Sequence, residues 1–346
     1  MLNIIPNLEL QPLNTMAIPA LARYGVKVHS LDELGAALSW RREKQLEDDV
    51  DIPLLVIGGG SNIILRGDFP GLLVQVDLQG KEEIKETAEH IWLKVGAGEN
   101  WHSLVEYSLS FHYWGLENLA LIPGCVGAAP IQNIGAYGVE LKDVFAELTA
   151  VDIQSGVEVV FEREACEFGY RDSVFKQRLK DRYIITSVTL KLSKNPTQYI
   201  EYPALASALS DCENITPEAV FEAVCRVRRS KLPDPALTPN TGSFFKNPIV
   251  DSTTYQRLHN EYANMPAYVV DQQTVKLAAG WLIDKAGWRG KELEGIVVHK
   301  DQALVLTNPK RLPGSAVLAA AEQIASDVKA KFGVQLEMEP RVYGNA

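Results

Sequence analysis

Residues 121–138 read LIPGCVGAAPIQNIGAYG, a stretch where glycine and proline interrupt residues that are otherwise small or apolar. Such a segment buries little side-chain area, but its backbone can approach another surface closely. Long connections without regular structure are usually functional, so two readings stand: a structural loop, or a cradle for a large flat ligand. A second glycine cluster, GGGSN at Gly58–Asn62, closes the apolar run DIPLLVI. The N–H groups that such a turn exposes suit a pyrophosphate. It is not the dinucleotide fingerprint, however, because G-x-G-x-x-G needs its third glycine where this chain has Ile63. A plain tight turn is the competing reading.

A chain of 346 residues predicts two or three domains and a substantial core. Its formal charge of −10 argues against a nucleic-acid partner, since neutralising many phosphates needs a basic face. Cys125, Cys166, Cys212 and Cys225 form no C-x-x-C pair, so neither a metal site nor a disulfide framework is expected, and the four fit a reducing cytosol. The opening MLNIIPNLELQPLNT lacks a basic and a long apolar region, and no apolar run reaches membrane-spanning length. A soluble cytoplasmic protein without a membrane partner is the expectation.

Periodicity predicts a mixed α+β chain. Residues 31–45 have helical spacing, GLLVQVDL and IWLKVGAG read as strands, and NWHSLVEYSLS as a helix burying Trp101, Leu104, Val105 and Leu109. A hairpin is expected around Ser155-Gly156, then a strand at YIITSVTLKL. RRSKLPDPALTPN, with three prolines, predicts a boundary. Beyond it, TVKLAAGWLIDKAG looks helical and GIVVHKDQALVLTN strand-like. Residues 315–332 predict a helix capped by Ser315 and Gly333, and VQLEMEPRVYG a closing strand that places Glu337, Glu339 and Arg341 on one face.

Further segments carry possible chemistry. FGYRDSVFK holds Arg171, which either pairs with Asp172 or clamps a carboxylate with its planar fork. CRVRRSKLPDP concentrates Arg226, Arg228, Arg229 and Lys231, a solvated helix face or a diphosphate site. NTGSFFKNP sets Ser243 between a glycine and two phenylalanines. Glu337 and Glu339 read either as site acids or as cross-strand partners of Arg341. No histidine has metal-ligand spacing, and His299 reads as a turn or packing residue.

Taken in order, IGGGSN, GLENLALIPGCVGAAPIQNIGAYGVE, FGYRDSVFK, KLPDP, GSFFKNP, KLAAGWLID and LEMEPRV resemble the UDP-N-acetylenolpyruvoylglucosamine reductases, flavoenzymes of peptidoglycan precursor synthesis. The resemblance runs from Pro12 to Gly344. It implies two α+β subdomains of the vanillyl-alcohol-oxidase type holding FAD non-covalently, then an α+β substrate-binding domain. The expected divisions are 1–78 and 79–226 for FAD, the latter a candidate to recruit the terminal strand 333–346, and 227–332 for substrate. The family is commonly monomeric.

The implied reaction reduces UDP-N-acetylglucosamine enolpyruvate to UDP-N-acetylmuramate, with hydride passing from NADPH to FAD and then to the enolpyruvyl C3. By resemblance Ser243 protonates C2, while Arg171 and Glu339 stabilise the charge developing on the carboxylate. FAD contacts are expected from Gly58, Gly59, Gly60, Ser61, Asn62, Pro123, Gly124, Gly127, Asn133, Gly135, Tyr137 and Gly138. Substrate contacts are expected from Tyr137, Tyr170, Arg171, Tyr202, Lys231, Asn247, Tyr268 and Gln302, with Tyr202 and Tyr268 marking the longer family type. Where relatives place proline before the glutamate, this chain reads MEPR. Another FAD-dependent oxidase or dehydrogenase on the same fold is the alternative.

Overall fold

The computed structural model describes residues 2–344 in two compact units. The first gathers residues 1–8, 22–59 and 70–230. One of its sheets has the order β1 (Ile5–Glu9), β2 (Leu21–Val28), β5 (Phe69–Val76), β3 (Leu54–Ile57), with β3 parallel to β5. Helix α1 (Leu31–Asp48) starts where Ser30 accepts the Glu33 amide, and packs Leu34, Ala37 and Leu38 against Val26, Val28, Leu72 and Val74. Periodicity alone passes over β1 and β2. In β2, Ala22, Val26 and Val28 are buried on one face and alternate with the exposed Leu21, Arg23 and Lys27.

The other sheet of this unit is antiparallel: β11 (Glu158–Glu162), β10 (Phe145–Asp152), β12 (Tyr183–Ser193), β7 (His90–Gly96) and β6 (Lys81–Glu86). The β10–β11 hairpin turns through Gly156 at φ 74°, where the dipeptide predicted it. Ile91, Leu93 and Val95 face inward with Val188, Leu190 and Leu192, as alternation requires. Helix α2 (Trp101–Ser110), capped by Asn100, buries Trp101, Leu104 and Val105 on this sheet; Leu109 only packs at the margin. Helices α3 (Pro203–Ala208) and α4 (Pro217–Lys231) add Leu205, Val220, Ala223 and Val224 to the same core.

The second unit comprises residues 9–21, 60–69 and 231–346. It holds an antiparallel sheet β13 (Asn240–Ser243), β19 (Val305–Thr307), β18 (Ile296–Val298), β17 (Glu292–Leu293). A three-stranded sheet β14 (Ile249–Asp251), β16 (Thr274–Leu277), β15 (Ala267–Val269) lies beside helices α5 (Ser252–Glu261) and α6 (Ala279–Lys285) in the sequence. Helix α7 (Gly314–Phe332) buries Val317, Ala321, Ile324, Val328 and Phe332, the predicted face. β4 (Ile63–Leu65) pairs in parallel with β20 (Arg341–Tyr343). Among the described residues no helix is long and apolar enough to cross a membrane.

Several local expectations are corrected. TVKLAAGWLIDKAG is not one helix: Thr274–Leu277 is strand, with Val275 and Leu277 buried in alternation, and α6 starts only at Ala279. Ser315 lies inside α7, whose N-cap position is Pro313 without a side-chain cap; Gly333 at φ 70° ends it as predicted. The closing strand shrinks to Arg341–Tyr343, since residues 334–337 are extended but unpaired in any sheet. The terminal segment therefore runs with β4, in the second unit, rather than with the sheet of residues 79–226. RRSK belongs to the last turn of α4, and the prolines break the chain only after it.

Trp101 is 1 % exposed and donates its indole N–H to the Leu119 carbonyl at 2.9 Å. Replacing it by alanine should leave a large cavity and an orphaned carbonyl, and lower stability by about 3–5 kcal/mol. Denaturant unfolding followed by circular dichroism should show an earlier midpoint for Trp101→Ala; an unchanged midpoint would mean that this cluster does not hold α2.

Candidate active site

The 121–138 loop packs by backbone. Gly127 donates its N–H to Ala97 O at 2.9 Å, and a Cβ on Gly127 would stand 2.5 Å from the Ala97 Cβ. Val126 N–H reaches Glu99 O and Trp101 N–H reaches Gly124 O, so the loop is laid on the end of β7 and the start of α2. On its other side it meets the first glycine cluster. A Cβ on Gly58 would come 3.0 Å from Cys125 Cβ, and one on Gly59 3.2 Å from Gly124 Cα. Pro123 is exposed beside Gly124 at φ 118°.

The loop's second half turns on Asn133, fully buried at φ 44°. Its amide donates to Glu140 Oε2 and Gly169 O, each at 3.0 Å, and its oxygen accepts Lys142 N–H. The side chain is therefore spent on the protein itself. A short hairpin, β8 (Gly135–Ala136) and β9 (Val139–Glu140), follows, with Tyr137 at φ 49° and Gly138 at φ 87° at its tip. Arg171, itself at φ 53°, donates Nη2–H to Gly135 O at 2.5 Å, and its guanidinium lies 5.6 Å from the Tyr170 ring centre. A Cβ on Gly135 would stand 2.8 Å from Arg171 Nη1 and 2.9 Å from Glu140 Cγ. Only glycine lets the arginine lie there.

Of the α4 basic cluster, one member turns inward. Arg226 is exposed and bonds Ala208 O, whereas Arg228 buries its Nε without a hydrogen-bond partner among the described residues. Burial pulls the Arg228 pKa down; Tyr137 opposes that and Arg171 reinforces it. Burial likewise pushes the Tyr137 phenol up while Arg228 draws it back. Two guanidiniums and a phenol are thus electrostatic neighbours, and Tyr202 meets Tyr137 edge-on with ring centres 5.3 Å apart. The signal in the sequence was position: Val220, Val224 and Arg228 recur every fourth residue, putting a cation on the helix's buried stripe.

In the second unit Ser243 ends β13 opposite Val305, after a register shift with Gly242 at φ 71°. Phe244 and Phe245 behind it are both buried. Phe244 gives its N–H to Leu304 O and accepts the Glu339 N–H at 2.9 Å; Lys246 N–H reaches Glu337 O, and Phe245 stands opposite Met338. This short ladder ties the serine segment to the glutamate segment. Glu337 pairs with Lys246 at 3.3 Å, not with Arg341 as cross-strand reasoning suggested. Thr241, two residues before the serine, has a buried hydroxyl without a partner among the described residues.

The other expected residues of this unit are dispersed. Asn247 Oδ1 accepts Ala279 N–H at the start of α6, Gln302 Oε1 accepts Leu304 N–H, and Lys231 is exposed at the end of α4. Tyr268 is exposed on β15, with Lys276 Nζ 6.0 Å from its ring centre. Gly60, at φ 59°, allows a Leu13 carbonyl approach that any Cβ would block at 1.9 Å, and Ser61 O and Asn62 O accept Thr15 Oγ1–H and Arg341 N–H. His299 lies at a turn, as expected, with its Nδ1 accepting Asp301 N–H.

Sequence profiles match at both ends of the chain: the FAD binding domain over residues 22–161, and the C-terminal domain of UDP-N-acetylenolpyruvoylglucosamine reductase over 234–343. The chain is 45 % identical over 341 residues to the UDP-N-acetylenolpyruvoylglucosamine reductase of Amoebophilus asiaticus, covering 97 % of this chain and 98 % of that one. The chain belongs to the UDP-N-acetylenolpyruvoylglucosamine reductase family. The Pseudomonas aeruginosa reductase is 46 % identical over 339 residues, with 97 % of each chain covered. The crystal structure of the reductase from Thermus caldophilus shares the fold, with a TM-score of 0.66 at 21 % identity over 99 % of both chains. An FAD-binding module and a C-terminal α+β domain of this family are therefore the architecture, as expected.

The first unit fits FAD on its own geometry. Gly58, Gly59 and Gly127 leave backbone where side chains would collide, and the half-buried Arg228 holds an Nε without a hydrogen-bond partner among the described residues. His102, which sequence reasoning did not single out, supports the loop from below. Its Nδ1 accepts Leu121 N–H at 3.2 Å and its ring stacks on Phe221 of α4. Burial lowers its pKa from 6.5, with Arg228 and Arg229 adding and Glu106, 3.6 Å away, opposing. Below that ordinary value the unfolded chain binds a proton that the folded one refuses, so this contribution is intact above about pH 6.5 and is lost as pH falls through the folded value. Thermal melts from about pH 8 to 5 should show this acid loss shrinking in His102→Asn, which keeps an acceptor for Leu121. An identical pH slope in the two proteins would clear His102 of the effect.

Proposed function

We propose that the chain catalyses the NADPH-dependent reduction of UDP-N-acetylglucosamine enolpyruvate to UDP-N-acetylmuramate, with residues 1–78 and 79–226 serving FAD and 227–332 serving substrate. The observation that carries the residue roles is the backbone pairing of Phe244 with Glu339, which ties the lone serine to a carboxyl in a chain of this family. FAD, when bound, would supply the hydride chemistry that connects NADPH with the enolpyruvyl C3. The backbone of Gly58–Asn62 and of Pro123, Gly124, Gly127, Asn133, Gly135, Tyr137 and Gly138 would hold the cofactor.

Arg171 binds the substrate carboxylate. Its guanidinium is already oriented by Gly135 O and by the strained backbone that Gly135 accommodates, so charge arriving on that carboxylate meets a preset cation. Arg228 is a second cation for the same anionic region. Glu339, protonated, donates a hydrogen bond to the developing enediolate oxygen. Ser243 then delivers its proton to C2. A hydroxyl is a weak acid, and it suffices because the carbanion is strongly basic; Phe244 and Phe245 keep water from competing. Tyr137, Tyr170, Tyr202, Lys231, Asn247, Tyr268 and Gln302 supply the remaining substrate contacts.

Ser243→Ala should leave bleaching of the flavin band by NADPH near normal and slow its return on adding the enolpyruvyl substrate anaerobically by about 10²- to 10⁴-fold. Equal slowing of both phases would remove the serine from the proton step. Arg228→Met should raise the substrate KM, or weaken FAD retention, by about tenfold or more if the buried cation binds either anion. Wild-type affinity for both in that variant would assign Arg228 to packing.

A further inference from the structure

Asn118 lies in the single turn Glu117–Leu119, 3 % exposed, and none of the roles above uses it. Its Nδ2 donates both hydrogens to main-chain carbonyls: Tyr137 O at 2.9 Å and Tyr199 O at 2.8 Å. The turn that presents it is itself fixed, because both Glu117 carboxylate oxygens accept the Gly115 N–H at 3.0 Å. Tyr137 and Gly138 both have positive φ at the tip of the β8–β9 hairpin, and the Tyr137 carbonyl there accepts from Asn118. From Asn195 to Tyr202 the chain has no regular secondary structure, and Tyr199 is 52 % exposed. Three residues after Tyr199 comes Tyr202, whose ring meets Tyr137 edge-on.

One buried amide thus ties together the two segments whose tyrosines touch. We propose that Asn118 is a positioning residue that holds the 195–202 segment in register with the 135–140 hairpin, so that Tyr137 and Tyr202 form one preset surface for the nucleotide-sugar substrate. This rests on the reading of Tyr137 and Tyr202 as substrate residues. An isolated loop would have to be ordered at each binding event, and the amide removes that entropy loss beforehand. Asparagine suits the task because two donors on one nitrogen serve two acceptors, which neither leucine nor an ionised carboxylate can do.

Two variants test the tether, Asn118→Leu and Asn118→Asp. Both should raise the substrate KM by about tenfold, the scale of a lost buried hydrogen bond, with NADPH bleaching of the flavin near wild type. The aspartate variant carries its own signature. Ionised, it faces two carbonyls with no donor; protonated, it regains one. Its KM, divided by that of the leucine variant, should fall as pH is lowered. Glu117, its neighbour, and the two tyrosines it faces are common to both variants and cancel in the ratio. Hydrogen exchange of residues 195–202 in the protein without substrate should quicken in the leucine variant.

Wild-type KM and exchange in both variants would overturn the proposal. So would a pH-independent ratio together with equal losses in bleaching, KM and thermal midpoint, which would make Asn118 a general packing residue. If the wild type fails to turn over the enolpyruvyl substrate while exchange still quickens, the substrate reading falls and the tether stands.

Discussion

Close backbone approach is the constraint from which the rest of the first unit follows. The 121–138 loop can lie against Gly58–Gly59, Ala97 and Arg171 only because no Cβ stands in the way at Gly58, Gly59, Gly127 and Gly135. A loop of small residues contributes little hydrophobic area, so it is held instead by hydrogen bonds into rigid neighbours: the end of β7, α2, the Lys142 amide, Asn118 and His102. Core packing of the five-stranded sheet with α2 and α4 is what makes those neighbours rigid. Stability and site geometry are therefore linked at second hand, through the scaffold that the loop borrows.

The two cations illustrate the opposite economy. Arg171 is oriented by a backbone carbonyl, and Arg228 has its Nε buried without a hydrogen-bond partner among the described residues. A buried cationic group without a hydrogen bond is unfavourable by itself and is tolerated when a ligand completes it. α4 can hold it because Val220, Ala223, Val224 and Cys225 anchor the helix, so one unfavourable residue near its end does not unseat it.

Much of this was legible in the sequence, for physical reasons. Alternation revealed β7 and its buried face, the Ser155-Gly156 dipeptide located a hairpin, and Gly333 ended α7. The motif order from IGGGSN to LEMEPRV pointed to the family. What failed was periodicity across short elements: TVKL ran into α6 because four strand residues cannot outweigh the helical ones beside them. The site was legible as residue types but not as geometry. Arg228 hid in a cluster of exposed basic residues, and the tyrosine and asparagine roles depend on positive-φ turns, which spacing does not encode. Glu337 paired with Lys246 because the ladder joins 337 to 246, a non-local register that no strand pattern announced.

The parallel pair β4–β20 joins residues 63–65 to residues 341–343, far apart in the sequence. A growing chain folds what it already has, so the five-stranded sheet can be complete while β4 still waits for its partner. The segment carrying Glu339 enters its ladder with Phe244 in that same last step, because it is contiguous with β20. Order of synthesis thus becomes a timer: the carboxyl reaches its station only after the strands of the five-stranded sheet have been made. A nascent or prematurely ended polypeptide could carry a fully formed glycine cradle without the acid.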